Sequence, residues 1–256
     1  MIRKLSVSVP RALIAAGLAV TMATAAEAQT TVTVDAITGQ WTNAVGGDNV
    51  QINNGATPID IRWGVTPPNG IRSGYDFTPT APPSFGVIVP MDGFALFNLG
   101  TFNHRNFPIF RNTNINSVDL GVTLDIDGAV PNNFSQTFTI FHEETPNDAV
   151  PCAYGGANFQ GVNINGCADR VTFGVAGSQN SFTVDGINYG LTLEGFSSDP
   201  LNYVGTSDFL TIENQENEAY LFARIFTVQV PEPSSVALLL VGLGAFGAAA
   251  RRRRTV

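Results

Sequence analysis

The chain has 256 residues, 13 basic against 21 acidic side chains and a net charge of −8. Its single lysine is Lys4, so beyond the N-terminal segment nothing remains for a Walker-type phosphate loop, a lysine Schiff base or a Lys–Asn crosslink. The acidic balance also excludes nucleic acid as a partner, because that binding rests on neutralising phosphates.

Arg3, Lys4 and Arg11 form a basic start, Ala12 to Ala23 is mostly apolar, and Ala26-Glu27-Ala28 is a small-x-small site before Gln29. This layout predicts a secretory signal peptide over 1–28 and an exported product. Leu13 to Val20 is apolar all round, which argues against a surface amphipathic helix.

The body, 29–229, has about the length of one large β domain or two small ones and is long enough to bury a core without a structural metal. The two ends carry seven of the basic residues and two of the acids, leaving six arginines against 19 acids, a charge near −13. Ile59 to Trp63 and Phe94 to Leu99 read as strands, and Thr78 to Pro83, with its three prolines, as a loop. In Val118 to Ile126 the even positions are apolar and the odd ones are Asp, Gly or Thr, the period of a half-buried strand. Phe134 to Phe141 is a further strand. Ser181 to Val184 and Ile187 to Glu194 flank Asp185-Gly186 as a hairpin. Tyr220 to Val230 is apolar on both faces, as in a strand with neighbours on either side. The expected fold is all-β, a single antiparallel sandwich of jelly-roll or immunoglobulin-like type.

Cys152 and Cys167 are the only cysteines, and in an exported chain such a pair predicts a disulfide. The Gly- and Asn-rich loop between them is the kind of segment a crosslink stabilises, by ~3 kcal/mol in the loop-entropy model.

Catalytic constellations are scarce. Only His104 and His142 supply imidazole, and no Gly-x-Ser-x-Gly elbow occurs. His142-Glu143-Glu144 starts like a zincin helix, but Pro146 stands where the second histidine belongs and forbids the helix. Asp125-Ile126-Asp127-Gly128 starts like a calcium loop, but Ala129 stands at the third ligand position. A looser calcium site drawn from Asp125, Asp127, Glu143, Glu144 and Asp169 stays open beside the plainer alternative, that these acids are solvated. Glu143 and Glu144 are adjacent, so on a strand they point to opposite faces and cannot flank one glycosidic bond. Trp41 and Trp63 are expected in the core rather than stacked on sugar. His104 with Asn106 reads as a pair that fixes a loop.

The chain ends in Val230-Pro231-Glu232-Pro233, a short apolar helix and Arg251 to Arg254. Fifteen residues from Val236 to Ala250 span roughly 22 Å, short of a ~30 Å hydrocarbon core unless flanking residues and snorkelling arginines extend it. The arginines would stay on the cytoplasmic side. These three parts in this order resemble a PEP-CTERM sorting signal over 230–254. The resemblance implies a Gram-negative bacterium, transient inner-membrane anchoring through 234–250, removal of the tail by a membrane exosortase, and a connection to exopolysaccharide and biofilm surfaces.

A second resemblance covers most of the body. Its residues are Gly39-Gln40-Trp41, Ile61-Arg62-Trp63-Gly64, Ser73-Gly74, the run from Phe97 to Ile109, Val118-Asp119-Leu120, Glu144 to Asn147, Cys152, Cys167-Ala168-Asp169, Tyr189-Gly190-Leu191 and Gly195-Phe196. Together they are similar to the choice-of-anchor K domain, a bacterial surface module, with Leu99 to Ile109 the most specific stretch. That family has no assigned activity, so no catalytic residues follow from it. The expectation is a non-enzymatic structural or binding component of the extracellular matrix, with polysaccharide as partner and calcium as the candidate small ligand. The alternative is a glycan-directed hydrolase using loop carboxylates.

Overall fold

The computed structural model describes residues 29–81, 84–91, 93–176 and 180–228. The expected signal segment, the Val230-Pro231-Glu232-Pro233 motif and the anchor over 234–250 lie outside the described residues.

The described chain is all-β. In order the strands are β1 (Gln29–Gly46), β2 (Gln51–Asn53), β3 (Ile59–Trp63), β4 (Ser73–Pro79), β5 (Phe85–Pro90), β6 (Phe94–Asn106) and β7 (Ile115–Ile126). There follow β8 (Asn133–Glu143), β9 (Asp169–Val175), β10 (Ser181–Val184), β11 (Ile187–Ser197), β12 (Gly205–Thr206), β13 (Phe209–Thr211) and β14 (Gln215–Thr227), with one 3₁₀ turn at Gly161–Asn163. One sheet runs β13-β9-β8-β7-β1-β5 and the other β10-β11-β14-β6-β4-β3-β2, with β12 added to β11. Every pairing is antiparallel.

Strand periodicity explains most of this. Val118, Leu120, Val122, Leu124 and Ile126 of β7 are all buried, with Thr123 and Asp125 turned outward. On β8 the inward set is Phe134, Gln136, Phe138, Ile140 and His142. The β10–β11 hairpin turns at Asp185-Gly186 with φ of 50° and 80°, a pair of positive angles that a two-residue turn between right-twisted strands requires. β14 lies between β11 and β6, and its outer Phe222 packs beneath Tyr203, which accounts for its apolar residues on both faces. Side chains from both sheets form one continuous core that includes Trp41 and Trp63.

Two elements run further than the hydrophobic pattern indicates. β6 continues past Leu99 to Asn106, so His104 and Asn106 belong to a strand and not to a loop. The inward alternation goes on through Phe102, His104 and Asn106, but its last two members are polar. β14 begins at Gln215, where inward Asn217 and Ala219 precede the apolar stretch.

Candidate functional site

The strand ends that meet at one pole of the molecule are those of β6, β8 and β13 and the starts of β4, β9 and β14. Their pairings set Gln215 against Asn106, Gly74 against Arg105, Glu143 against Arg170, and Thr211 against Asp169. Inward positions at this pole carry polar side chains in place of apolar ones. Tyr75, His104 and Asn106 come from one sheet, and His142, Asp169 and Thr211 from the other; all are buried. Glu144 and Thr145 follow β8 directly, and Glu213 follows β13, so the same strand ends deliver them too. The rings of Trp63, Tyr75, His104 and His142 pack on one another, with Tyr75 and His104 centroids 5.0 Å apart and His104 and His142 5.2 Å apart.

Each imidazole is held by Nδ1. His104 Nδ1 is 2.8 Å from Thr211 Oγ1, and His142 Nδ1 is 2.7 Å from Tyr75 Oη. His142 Nε2 lies 3.1 Å from Glu144 Oε2, whereas His104 Nε2 makes no hydrogen bond within the protein. Asp169 Oδ1 accepts the Thr145 backbone N–H at 2.7 Å, but Oδ2 is unpartnered, while Asn147, Asn106 and the Asn214 N–H bear on the Glu213 carboxylate. Leaving buried polar atoms unpaired costs about 1–3 kcal/mol each, so their concentration here is unlike an ordinary core.

Burial dominates the electrostatics. It pushes Glu144 and Glu213 each up to about 7, with the Glu144 charge adding to the effect on Glu213. Asp169 is held well above the usual carboxylate range by burial and then by Glu144. Burial holds His104 well below its ordinary value, and His142 adds to the effect. Burial also lowers His142, with Asp169 and Glu143 opposing it. Tyr75 is raised by the same desolvation.

Two sets of donors are close enough to share one cation. One nitrogen or oxygen each from His104, His142 and Asp169 lies within 4.8 Å of the others, and the same holds for Glu144, Asp169 and Glu213. Asp169 belongs to both sets. Only Glu144 leads outward. Its side chain is 19% exposed and lines a polar cleft of about 430 Å³ together with Arg111, Asn112, Asn114, Asn147 and Asp148.

The five carboxylates singled out from sequence do not share one place. Glu144 and Asp169 converge on this cluster. Glu143 turns to the surface, where Tyr154 and Arg170 bond it. Asp125 pairs with Asn133 at the far end of β8 from His142, and Asp127 lies just beyond; nine strand residues separate the two ends, roughly 30 Å. Sequence reasoning did not single out Glu213, Thr211 or Tyr75, which stand beside no motif. Cys152 and Cys167 are bridged, as expected, with Cα atoms 5.2 Å apart. Inside the closed loop Asn163 donates to the Tyr154 and Gly156 carbonyls and accepts from the Ala168 N–H, which anchors the segment leading into Asp169.

Residues 229–254 match the PEP-CTERM protein-sorting motif. The chain matches no curated protein. The motif implies an exported protein that an exosortase-type membrane enzyme processes and that ends at the cell surface.

Proposed function

We propose that the chain is a non-enzymatic structural or binding component of the extracellular matrix, displayed at the surface after its tail is removed. The sorting motif at residues 229–254 carries this reading. In it, residues 29–229 form one choice-of-anchor K-like module, a single antiparallel sandwich, and extracellular polysaccharide is its partner. The closed character of the polar cluster supports a structural or binding role, since Tyr75, His104, His142, Asp169 and Glu213 are all buried. The test uses the surface-processed protein: retention on the producing cell's own exopolysaccharide, together with no release of sugar from it, is the expected result. Release of reducing ends would overturn it.

One observation favours a second reading, a glycan hydrolase. Glu144 borders the cleft and is held near neutral pH, as a general acid needs. Against it, Asp169 and Glu213, the two acids that would have to partner Glu144, are buried.

A further inference from the structure

We propose that His104, His142 and Asp169, with the carboxylates of Glu144 and Glu213 beside them, bind one divalent transition-metal ion of the zinc type. Four features of the cluster lead there, and none depends on the sorting motif.

The first is convergence. Two sets of donor atoms, each within 4.8 Å, share Asp169, so an ion held by Asp169 and the two histidines has the second set of carboxylates as its neighbours. The second is the orphaned atoms. His104 Nε2 and Asp169 Oδ2 take no hydrogen bond from the protein, and both residues are fully buried. An ion supplies what these lone pairs lack.

The third is the way both rings are held. In each histidine Nδ1 is committed to a hydroxyl, Thr211 in one case and Tyr75 in the other, while Nε2 faces the acids or is free. Metal-bound histidines are oriented in this way by a hydrogen bond at the second nitrogen. Binding through Nε2 of His142 displaces Glu144 from that nitrogen, places the proton on Nδ1 with Tyr75 Oη accepting it, and leaves the Glu144 carboxylate as a ligand reaching in from the cleft. The fourth is the missing countercharge. All six arginines of the body are engaged elsewhere: Arg62 with Asp60 and Asp76, Arg72 with Gln51, Arg105 with Glu216, Arg111 with Asp148, Arg170 with Glu143, and Arg224 with Glu194. None reaches the three acids.

The donor set decides the kind of ion. Calcium and magnesium take oxygen alone, whereas two imidazoles with carboxylates suit zinc, cobalt or a neighbouring ion. Soft thiolate chemistry is ruled out, because both cysteines are in the disulfide.

The test uses the full chain, oxidised and stripped with chelator. Titration with Zn²⁺ alone should show one ion per chain and a melting midpoint that rises with free Zn²⁺, while millimolar Ca²⁺ leaves the midpoint in place. Co²⁺ loading of the wild-type protein reads the ligands without any substitution. The chain has two histidines, so two exchangeable imidazole N–H resonances should be shifted far outside the ordinary proton range by the paramagnetic ion. His104→Gln and Asp169→Asn should each weaken Zn²⁺ at least tenfold, with strand content unchanged by circular dichroism. Folded wild-type protein that holds neither Zn²⁺ nor Co²⁺ would overturn the proposal. So would a response to Ca²⁺ alone, or fewer than two shifted imidazole protons.

Discussion

Tyr75 on β4 and His142 on β8 share a 2.7 Å hydrogen bond that joins the two sheets across their common interior. Both side chains are buried. Tyr75→Phe keeps the ring and its packing but leaves His142 Nδ1 without its partner. The expected cost is about 1–3 kcal/mol, the penalty for orphaning a buried polar group. Urea denaturation of the chelator-treated protein measures it. A midpoint within error of wild type would mean that the bond holds nothing in place.

The disulfide is the second measurable restraint. Cys152 and Cys167 close a loop of fifteen residues that leads directly into Ala168 and Asp169. Replacing both with alanine should cost ~3 kcal/mol through the unfolded chain's regained freedom. Because Asn163 separately pins the Ala168 N–H and the Tyr154 carbonyl, the folded loop should keep its shape. Denaturant midpoints with and without reductant measure the cost, and hydrogen exchange at Ala168 reports on the loop. Loss of Ala168 protection in an otherwise folded variant would show that the crosslink, and not Asn163, orders the segment.

Gly100 gives a sharper test of the β6 geometry. A Cβ there would meet the Thr78 carbonyl oxygen at 2.4 Å and the Phe77 ring at 2.8 Å. The obstacle is backbone in a paired strand and cannot swing aside. Gly100→Ala is therefore expected among the severe substitutions, above ~3 kcal/mol, whereas Gly128→Ala, with nothing within 4 Å, meets only its own backbone preference. Comparative thermal melts of the two variants decide this, and equal losses would contradict it.

The strands of the interior were legible where the inward face is apolar throughout. β7 and the β10–β11 hairpin follow directly from alternation and from Asp185-Gly186. The polar pole was not legible, for a physical reason. An inward histidine or asparagine in a strand has the same period as an outward one, so His104 and Asn106 read as a loop beyond the strand when they are the most buried polar part of β6. The site itself depends on sheet register. Residues 75, 104, 142, 169, 211 and 213 meet only because β13 pairs with β9 and β4 with β6, and no local spacing encodes either pairing. Glu144 and Asp169 could be suspected as acids, but their separation from Asp125 and Asp127 follows from the length of β8.

The pH response of Glu143 follows from its surface partners. The Tyr154 hydroxyl, then Arg170, holds its carboxyl below the usual range. A carboxyl whose folded pKa is depressed adds stability above its unfolded value of about 4.5, and that share is lost as pH falls through the folded pKa. Glu143 is largely solvated, so the effect on overall stability should be small. Site-resolved carbon NMR should find Glu143 titrating below an ordinary glutamate, and Tyr154→Phe should bring it back toward 4.5. An unchanged titration in that variant would remove Tyr154 from the account.

The tail should behave as a temporary anchor. As a helix, the fifteen residues from Val236 to Ala250 would span roughly 22 Å, less than the ~30 Å hydrocarbon core, so an anchor there would need help from its flanks. Arg251 to Arg254 would supply that help, and by the usual charge bias they would stay on the cytoplasmic side. Before it in sequence, Pro231 and Pro233 lack backbone donors and disfavour helix, which suits a stretch that a processing enzyme must reach. A short apolar run next to a proline-flanked motif suits cleavage better than permanent residence, which agrees with the match over residues 229–254. Mass spectrometry of the surface-exposed pool should therefore find chains ending near Pro231, with Arg251 to Arg254 confined to the membrane fraction. Replacing the four arginines with serine should reduce the processed pool several-fold by weakening the anchored intermediate. Intact chains ending at Val256 as the main surface species would overturn the processing account.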